Sequence, residues 1–161
     1  KGKLLNVTQL TTKLPNGNRA TLEVLEHPGA VLIIPLLSRV RMVLLKQYRA
    51  AIGQYIYELP AGTLEKEEKP LAAARREIVE ETGYRAGRWT RLGLIYPAPG
   101  YTTEKITIFQ AEDLDFKGKK PEADEVIETL TVSRRQVKEL LAMGELVDAK
   151  TICALSMCGW L

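Results

Sequence analysis

The sequence predicts an α/β fold, in which a mixed sheet is covered by helices and preceded by a small β-rich N-terminal segment. Strand-like runs outnumber helical runs along the 161 residues. Residues 30–36 are apolar throughout, which is typical of a strand that is buried on both faces. Helical patterns lie in the middle and at the end of the chain, so helices can cover the sheet from both sides.

The N-terminal segment is predicted to be a β-hairpin. Two strand-like runs, 4–12 and 19–26, flank a Pro-Asn-Gly-Asn turn signal at 15–18. A Pro-Gly pair then breaks the chain before the apolar run. We therefore divide the chain into an N-terminal β-hairpin segment, residues 1–29, and a main domain, residues 30–161.

The main domain begins with the buried strand at 30–36, and we expect the strand at 41–48 to pair with it. Pro70 suits the start of a helix and Gly83 suits its end, which bounds one helix in the middle of the chain. The other predicted elements are strands at 56–59, 89–96, 105–111 and 126–132 and helices at 133–143 and 149–160.

Composition and charge narrow the functional classes. With 45% hydrophobic residues, the chain can bury one core of its own. A net charge of +3, with the basic residues scattered, argues against nucleic acid as the main partner. The sequence has no secretory signal or long apolar run, and its two cysteines are not spaced as C-x-x-C. We therefore expect a protein of the cytoplasm with no membrane partner.

An acidic cluster on the central helix is the strongest functional signal. Glu77 directly follows Arg76, and Glu80 and Glu81 lie three and four residues after Glu77, so we expect the three glutamates to share one helix face. Two such carboxylates about 5 Å apart repel by roughly 3 kcal/mol at an effective dielectric constant near 20. A divalent cation would relieve this repulsion, and oxygen donors without His or Cys favour Mg²⁺ or Mn²⁺. The alternative is a solvated acidic helix face.

The whole segment resembles the Nudix box, G-x5-E-x7-R-E-U-x-E-E-x-G-U, in which U is a bulky apolar or aromatic residue. Its defined positions are filled, without a departure, by Gly62, Glu68, Arg76, Glu77, Ile78, Glu80, Glu81, Gly83 and Tyr84. The resemblance implies a Nudix-type α/β/α sandwich with a mixed sheet. It also implies that Glu77, Glu80 and Glu81 bind divalent metal, and that Arg76 and Glu68 orient these carboxylates.

Two features outside the box resemble the ADP-ribose pyrophosphatase branch of this superfamily. A Glu-Leu-Pro-Ala-Gly run at 58–62 matches the run ahead of the box in that branch, and Pro99 lies fifteen residues past Tyr84. The branch implies Mg²⁺-dependent hydrolysis of the pyrophosphate bond of ADP-ribose or a related nucleoside diphosphate sugar. The products would be a nucleoside monophosphate and a sugar phosphate. By the same resemblance, the backbone carbonyl of Ala61 completes the metal site.

The predicted substrate-binding residues are Arg49, Glu58, Pro99 and Glu104. An arginine at the end of a strand, such as Arg49, can hold a phosphate through two hydrogen bonds of its guanidinium. Glu104 is expected to orient substrate or to bind metal. These residues extend the predicted site to both sides of the box.

The predicted catalytic residues are Glu81, Arg76 and a general base from another loop. The resemblance favours Glu125, in the acidic run 122–128, as that base, and Glu122 and Glu128 are the alternatives. Two other functions stay open. One is a Nudix hydrolase of nucleoside triphosphates or dinucleoside polyphosphates, and the other is a non-catalytic module that senses nucleotide sugars.

The resemblance also implies a homodimer that exchanges N-terminal strands and holds adenine between aromatic rings of the N-terminal segment. No Phe, Tyr or Trp precedes Tyr48, so the sequence departs from the branch at this point. Loop residues such as Tyr55 or Tyr101 could supply a ring instead. The preferred base and sugar and the number of metal ions therefore stay open.

Overall fold

The computed structural model describes residues 6–118 and 126–161. Within these residues, six strands precede the first helix, three more strands follow it, and two helices end the chain. The strands are β1 (Asn6–Lys13), β2 (Arg19–Glu26), β3 (Ala30–Pro35), β4 (Arg41–Arg49), β5 (Gln54–Glu58), β6 (Ala61–Thr63), β7 (Tyr84–Ile95), β8 (Ile106–Phe116) and β9 (Ile127–Ser133). The helices are α1 (Pro70–Glu77), α2 (Arg134–Ala142) and α3 (Ala149–Met157), and a π-helical turn, Ile78–Thr82, continues α1. The strands form a two-stranded sheet, β1-β2, and two larger sheets with the orders β6-β3-β8-β7 and β5-β4-β9.

β3 is the centre of the main domain. It pairs antiparallel with β6 and parallel with β8, so its sheet is mixed. Val31 and Ile33, on one face, pack with two buried alanines of α1. Leu32 and Ile34, on the other face, pack in a separate cluster that includes buried residues of α2 and α3. A strand that is buried on both faces thus lies between helices on both sides, which confirms the predicted α/β/α sandwich.

The predicted pairing of the strands at 30–36 and 41–48 is wrong. β4 lies in the other sheet, between β5 and β9. Near the end of β3, an isolated bridge joins Leu36, which follows β3, to Met42 of β4. β6 and β8 already occupy both edges of β3. Since β3 and β4 are both rich in apolar residues on both faces, the hydrophobic pattern carries no information about which strands pair.

Other differences concern element lengths. The sequence pattern does not predict β6, because three residues are too few to show a period. β7 begins before the predicted strand at 89–96, and β8 ends beyond the predicted strand at 105–111. These two strands pair from Tyr84 and Phe116 onward, with a register shift between Arg91 and Gly93. Pairing over a long distance in sequence therefore extends strands beyond their apolar parts.

The N-terminal hairpin is confirmed, since β1 and β2 pair along their whole length. It joins the main domain through Leu25, whose amide donates to the carbonyl of Tyr101 at 2.8 Å and whose carbonyl accepts from Thr103 at 3.0 Å. Val7, Leu10 and Leu22 remain 63%, 49% and 44% exposed. The division of the chain after residue 29 stays a prediction. Among the described residues, no helix is long and apolar enough to cross a membrane.

The start of α3 is fixed against the segment that precedes β6. Asp148 caps the helix, and its Oδ2 accepts from the amide of Thr151 at 3.0 Å. The hydroxyl of Thr151, which is fully buried, accepts from the amide of Leu59 at 2.9 Å. The first residues of α3 are therefore held beside the Glu-Leu-Pro-Ala-Gly run at 58–62, although they lie far from it in sequence.

Candidate active site

The acidic cluster lies where the central helix changes form. α1 ends at Glu77, and the π-helical turn carries Glu80 and Glu81. Gly83 ends this turn in left-handed backbone, with φ 78°, which glycine adopts without strain. Hydrogen bonds in a π turn reach one residue further than in an α-helix, so the spacing of the carboxylates does not by itself fix how they are arranged.

The guanidinium of Arg76 holds three carboxylates together. Its Nε and Nη2 donate to the two oxygens of Glu68 at 3.1 and 3.0 Å. Its Nη1 donates to Glu77 Oε1 at 2.7 Å and to Glu80 Oε2 at 3.0 Å. Nη2 also donates to the carbonyl of Thr63 at 3.3 Å. Arg76 therefore connects the loop after β6, α1 and the π turn.

This network shifts two pKa values. The hydrogen bond from Arg76 is the main reason that the pKa of Glu68 lies below its ordinary value, and it outweighs the opposing effect of burial. The same hydrogen bond is the main reason that the pKa of Arg76 is raised against the opposing effect of burial, and the charge of Glu77 and the hydrogen bonds to Glu77 and Glu80 add to it. Each partner thus stabilises the charged form of the other.

The backbone of β6 closes the other side of the cluster. A Cβ on Gly62 would lie 1.8 Å from Glu77 Oε1, so the glutamate occupies the space that any side chain at position 62 would need. The amide of Ala61 donates to Glu81 Oε2 at 3.0 Å, and Glu81 is only 3% exposed. Since β6 pairs with β3, the central sheet determines where these two carboxylates lie.

The donors in this region suit a divalent cation. The side chains of Glu77, Glu80 and Glu81 and the carbonyl of Ala61 offer oxygen alone, the ligand type that Mg²⁺ and Mn²⁺ prefer. Among the described residues, no three Asp, Glu, His or Cys side chains are grouped so that they could hold a metal ion. Arg76 provides the positive charge between Glu77 and Glu80 instead. The residues fit the metal by the chemistry of their donors.

A cavity of about 350 Å³ borders this backbone segment, and we call it the cleft. It is lined by Ala30, Val31, Arg49, Ala61, Gly62, Thr63, Pro97, Glu104, Ile106, Asp148, Ala149 and Lys150. The cleft thus joins the backbone next to Glu77 and Glu81 to Arg49, at the end of β4, and to the first residues of α3. Anionic and cationic groups from distant parts of the sequence meet there.

Arg49 and Glu58 form an ion pair at the wall of the cleft. Arg49 Nε donates to Glu58 Oε2 at 2.6 Å, and Nη2 donates to Oε1 at 3.2 Å. The side chain of Arg49 is 40% exposed, whereas that of Glu58 is 2% exposed. Burial tends to lower the pKa of Arg49, but the hydrogen bond and charge of Glu58 outweigh it and raise the pKa. Arg49 therefore stays charged and has further N–H donors for a ligand.

Of the other predicted substrate-binding residues, Glu104 lines the cleft, whereas Pro99 and Glu58 do not. Glu104 lines the cleft, and its carboxylate lies 4.0 Å from the ring of His27. Pro99 lies in a turn, and Pro97 rather than Pro99 contributes to the lining of the cleft. Glu58 is buried behind Arg49 and contacts it directly. Arg49 and Glu104 are thus the predicted residues with direct access to a ligand.

Glu125, the predicted general base, lies outside the described residues, and so does its alternative Glu122. The third candidate, Glu128, lies on β9 opposite Lys46 of β4. It lines a small cavity with Tyr55 and Val126, not the cleft.

Asp148 and Lys150 belong to the wall of the cleft but are not predicted as site residues from the sequence. Lys150 Nζ contacts Glu58 Oε1 and lies 2.8 Å from Asp148 Oδ1. The available signal was an aspartate at a helix start, which predicts a cap but does not place it at a cleft. Their position depends on the contact between α3 and the segment before β6.

A second and larger cavity, of about 520 Å³, lies between α1 with its π turn and the start of β7. It is lined by Arg75, Arg76, Ile78, Val79, Glu80, Arg85, Ala86 and Trp89. Arg76 and Glu80 are thus reached from this side as well. We place the candidate chemistry in the cleft, because Arg49, Glu104 and the β6 backbone converge there.

An α/β/α sandwich with glutamates clustered on a helix beside a cleft is the architecture of a class of hydrolases that use divalent metal. A family model described as NUDIX domain matches residues 26–155. The chain therefore belongs to the Nudix family.

Similar proteins extend along almost the whole chain. An ADP-ribose pyrophosphatase of Bacillus subtilis (strain 168) is 36% identical over 156 residues, which are 96% of this chain and 84% of that protein. A methanol dehydrogenase activator of Bacillus methanolicus is 31% identical over 156 residues, with the same two coverages. A solved structure titled "Crystal structure of ADP compounds hydrolase" matches with a TM-score of 0.83 at 24% identity, covering 98% of this chain and 86% of that chain. This last likeness concerns the fold alone.

The contact between Gly62 and Glu77 can be tested by Gly62→Ala. We expect this change to lower the free energy of unfolding by about 1–3 kcal/mol, because Glu77 must move to make room for the methyl group. Urea unfolding measures the difference. Gly100→Ala is the matched control, since a Cβ there meets nothing within 4 Å. Equal stability of the two variants would contradict the close contact.

The lowered pKa of Glu68 predicts a pH-dependent contribution to stability. A carboxyl group whose pKa is lower in the folded state stabilises the fold above its ordinary value, here 4.5, and this contribution disappears as the pH falls through the folded value. We therefore expect Glu68→Gln to be less stable than the wild type at neutral pH, and this deficit to shrink in acid. Urea unfolding at a series of pH values measures it. Glu67→Gln, at an exposed neighbour, should show no such trend.

Proposed function

We propose that this chain hydrolyses the pyrophosphate bond of ADP-ribose or a related nucleoside diphosphate sugar, giving a nucleoside monophosphate and a sugar phosphate. The observation that carries the proposal is the cleft, in which the exposed guanidinium of Arg49 faces the same cavity as the β6 backbone beside Glu77 and Glu81. The similarity to the ADP-ribose pyrophosphatase of Bacillus subtilis supports this substrate class.

In this proposal Arg49 binds a phosphate of the diphosphate through its remaining N–H donors. Glu77, Glu80, Glu81 and the carbonyl of Ala61 would hold Mg²⁺, for which Mn²⁺ could substitute. The bound metal supplies charge neutralisation at the phosphates and a polarised water. Arg76, oriented by Glu68, holds the carboxylates of Glu77 and Glu80 in place before the metal binds.

A general base takes a proton from the water that attacks phosphorus, and the bond to the bridging oxygen breaks as the new bond forms. We propose Glu125 for this role, with Glu122 and Glu128 as alternatives. We further propose Glu58, Pro99 and Glu104 as residues that shape the substrate site, with Glu58 acting through Arg49. The ligand is a small molecule. We propose that the protein is located in the cytoplasm.

We also propose a homodimer that exchanges its N-terminal hairpins. An isolated two-stranded hairpin is marginally stable in water. The hairpin here keeps Leu10 and Leu22, which face each other across β1 and β2, about half exposed at 49% and 44%. A second copy of the chain would cover these side chains.

A substrate panel tests the reaction. With Mg²⁺ present, we expect turnover of ADP-ribose or of GDP-mannose or UDP-glucose, and product analysis should identify a nucleoside monophosphate and a sugar phosphate. Glu81→Gln should lower kcat by about a thousandfold, because it removes the negative charge that would bind the metal. Gln is chosen because it keeps the size of the side chain. Glu139→Gln, on an exposed face of α2, is the matched control.

The other outcomes of this panel discriminate between the functions. Comparable turnover of triphosphates or diadenosine polyphosphates would contradict the substrate class. No turnover of any compound would favour a module that senses nucleotide sugars. A Glu81→Gln variant with a wild-type rate would contradict the metal role of Glu81.

Sedimentation tests the dimer. We expect the wild type to sediment as a dimer at micromolar concentration and Leu10→Glu to sediment as a monomer, because a buried charge without a partner is unfavourable. Thr11→Glu, on the opposite face of the same strand, is the matched control. A monomeric wild type would contradict the strand exchange.

A further inference from the structure

Lys150 lies where a helix does not favour positive charge. It is the second residue of α3, and the N-terminal end of a helix carries partial positive charge, so acidic residues are preferred there. The Lys150 side chain is nevertheless only 20% exposed and lines the cleft. Its Nζ is held between two carboxylates, Glu58 and Asp148. A long basic side chain in this position is explained by what it contacts, not by helix propensity.

Glu58 connects Lys150 to Arg49. Its carboxylate is buried, with the whole residue 1% exposed. Oε2 accepts from Arg49 Nε at 2.6 Å, whereas Oε1 is shared between Arg49 Nη2, at 3.2 Å, and Lys150 Nζ. Since a buried carboxylate attracts every nearby donor, the ammonium of Lys150 limits how far the guanidinium of Arg49 is drawn onto Oε1.

The charges around this wall of the cleft balance in pairs. Arg49 and Lys150 are cationic, and Glu58 and Asp148 are anionic. Without Lys150, Arg49 alone would face both carboxylates. Arg49 Nη2, which lies 3.2 Å from Glu58 Oε1, would then be drawn closer to that oxygen, and the cleft would become less attractive to a doubly charged diphosphate.

We propose that Lys150 is a positioning residue for the diphosphate of the substrate: through Glu58 it holds the guanidinium of Arg49 in the orientation that leaves its outer N–H donors to the ligand. This inference rests on the proposed function for its ligand and adds a residue on α3 to the site. Asp148 supports it by holding the ammonium at 2.8 Å.

The test measures binding of a nonhydrolysable α,β-methylene analogue of ADP-ribose by calorimetry in the presence of Mg²⁺, and KM and kcat for ADP-ribose. We expect Lys150→Met to raise the dissociation constant and KM about tenfold, with kcat nearly unchanged. Lys150→Arg keeps the charge and should restore most of the affinity. Lys138→Met, the same substitution on the exposed face of α2, is the matched control.

A double-mutant cycle separates positioning from direct contact. If Lys150 acts through Arg49, then Lys150→Met should cost less than about twofold in affinity once Arg49→Met is present. A cost equal to that in the wild-type background would overturn the proposal, because Lys150 would then act independently of Arg49. Thermal unfolding of each variant distinguishes a loss of affinity from a loss of stability. If Lys150→Met is unfolded, Lys150→Gln, which keeps a donor to Glu58, replaces it.

Two further outcomes are separable. A wild type that binds and hydrolyses, with Lys150→Met equal to it in affinity and KM, would overturn this inference and leave the proposed function intact. A wild type that neither binds the analogue nor hydrolyses ADP-ribose would overturn the proposed function, and this inference with it, before any variant is compared.

Discussion

The placement of one guanidinium among acidic side chains is the constraint on which the candidate site depends. Arg76 contacts Glu68, Glu77 and Glu80, and thereby joins the loop after β6 to α1 and to the π turn. Carboxylates this close would repel each other without a cation between them. The need for a cation also explains why the segment suits a metal ion. The carboxylates of the segment carry more negative charge than Arg76 alone neutralises.

The rest of the site is built by the sheet and by α3 around this cluster. β6 pairs with β3 and brings the amide of Ala61 to Glu81 and the bare backbone of Gly62 to Glu77. The contact between Thr151 and Leu59 holds α3 beside the same backbone. As a result, the cleft has one wall of backbone next to carboxylates and another of paired cations and anions. A diphosphate requires both kinds of group, one for its metal and one for its oxygens.

Much of the fold could be predicted from the sequence, because buried strands, turns and helix ends leave local patterns. The hairpin, the apolar strand at 30–36 and the helices that begin at Pro70, Arg134 and Ala149 all follow from such patterns. The pairing of β4 could not be predicted, since a strand that is apolar on both faces does not specify its neighbour. The π turn was missed for a similar reason, because its residues carry the same periodicity as an α-helix over so short a span.

For the candidate site, the sequence by itself determined the acidic cluster and its arginine, because these groups are neighbours along the chain, whereas the contact of Gly62 with Glu77 comes from the pairing of β6 with β3. Only the tertiary structure decided that Lys150 and Asp148 meet Arg49 and Glu58, and that Pro97 rather than Pro99 lines the cleft. Contacts of this kind join segments about ninety residues apart. They depend on the packing of α3 against the sheet, and no local pattern of residue types encodes which distant side chains that packing will bring together.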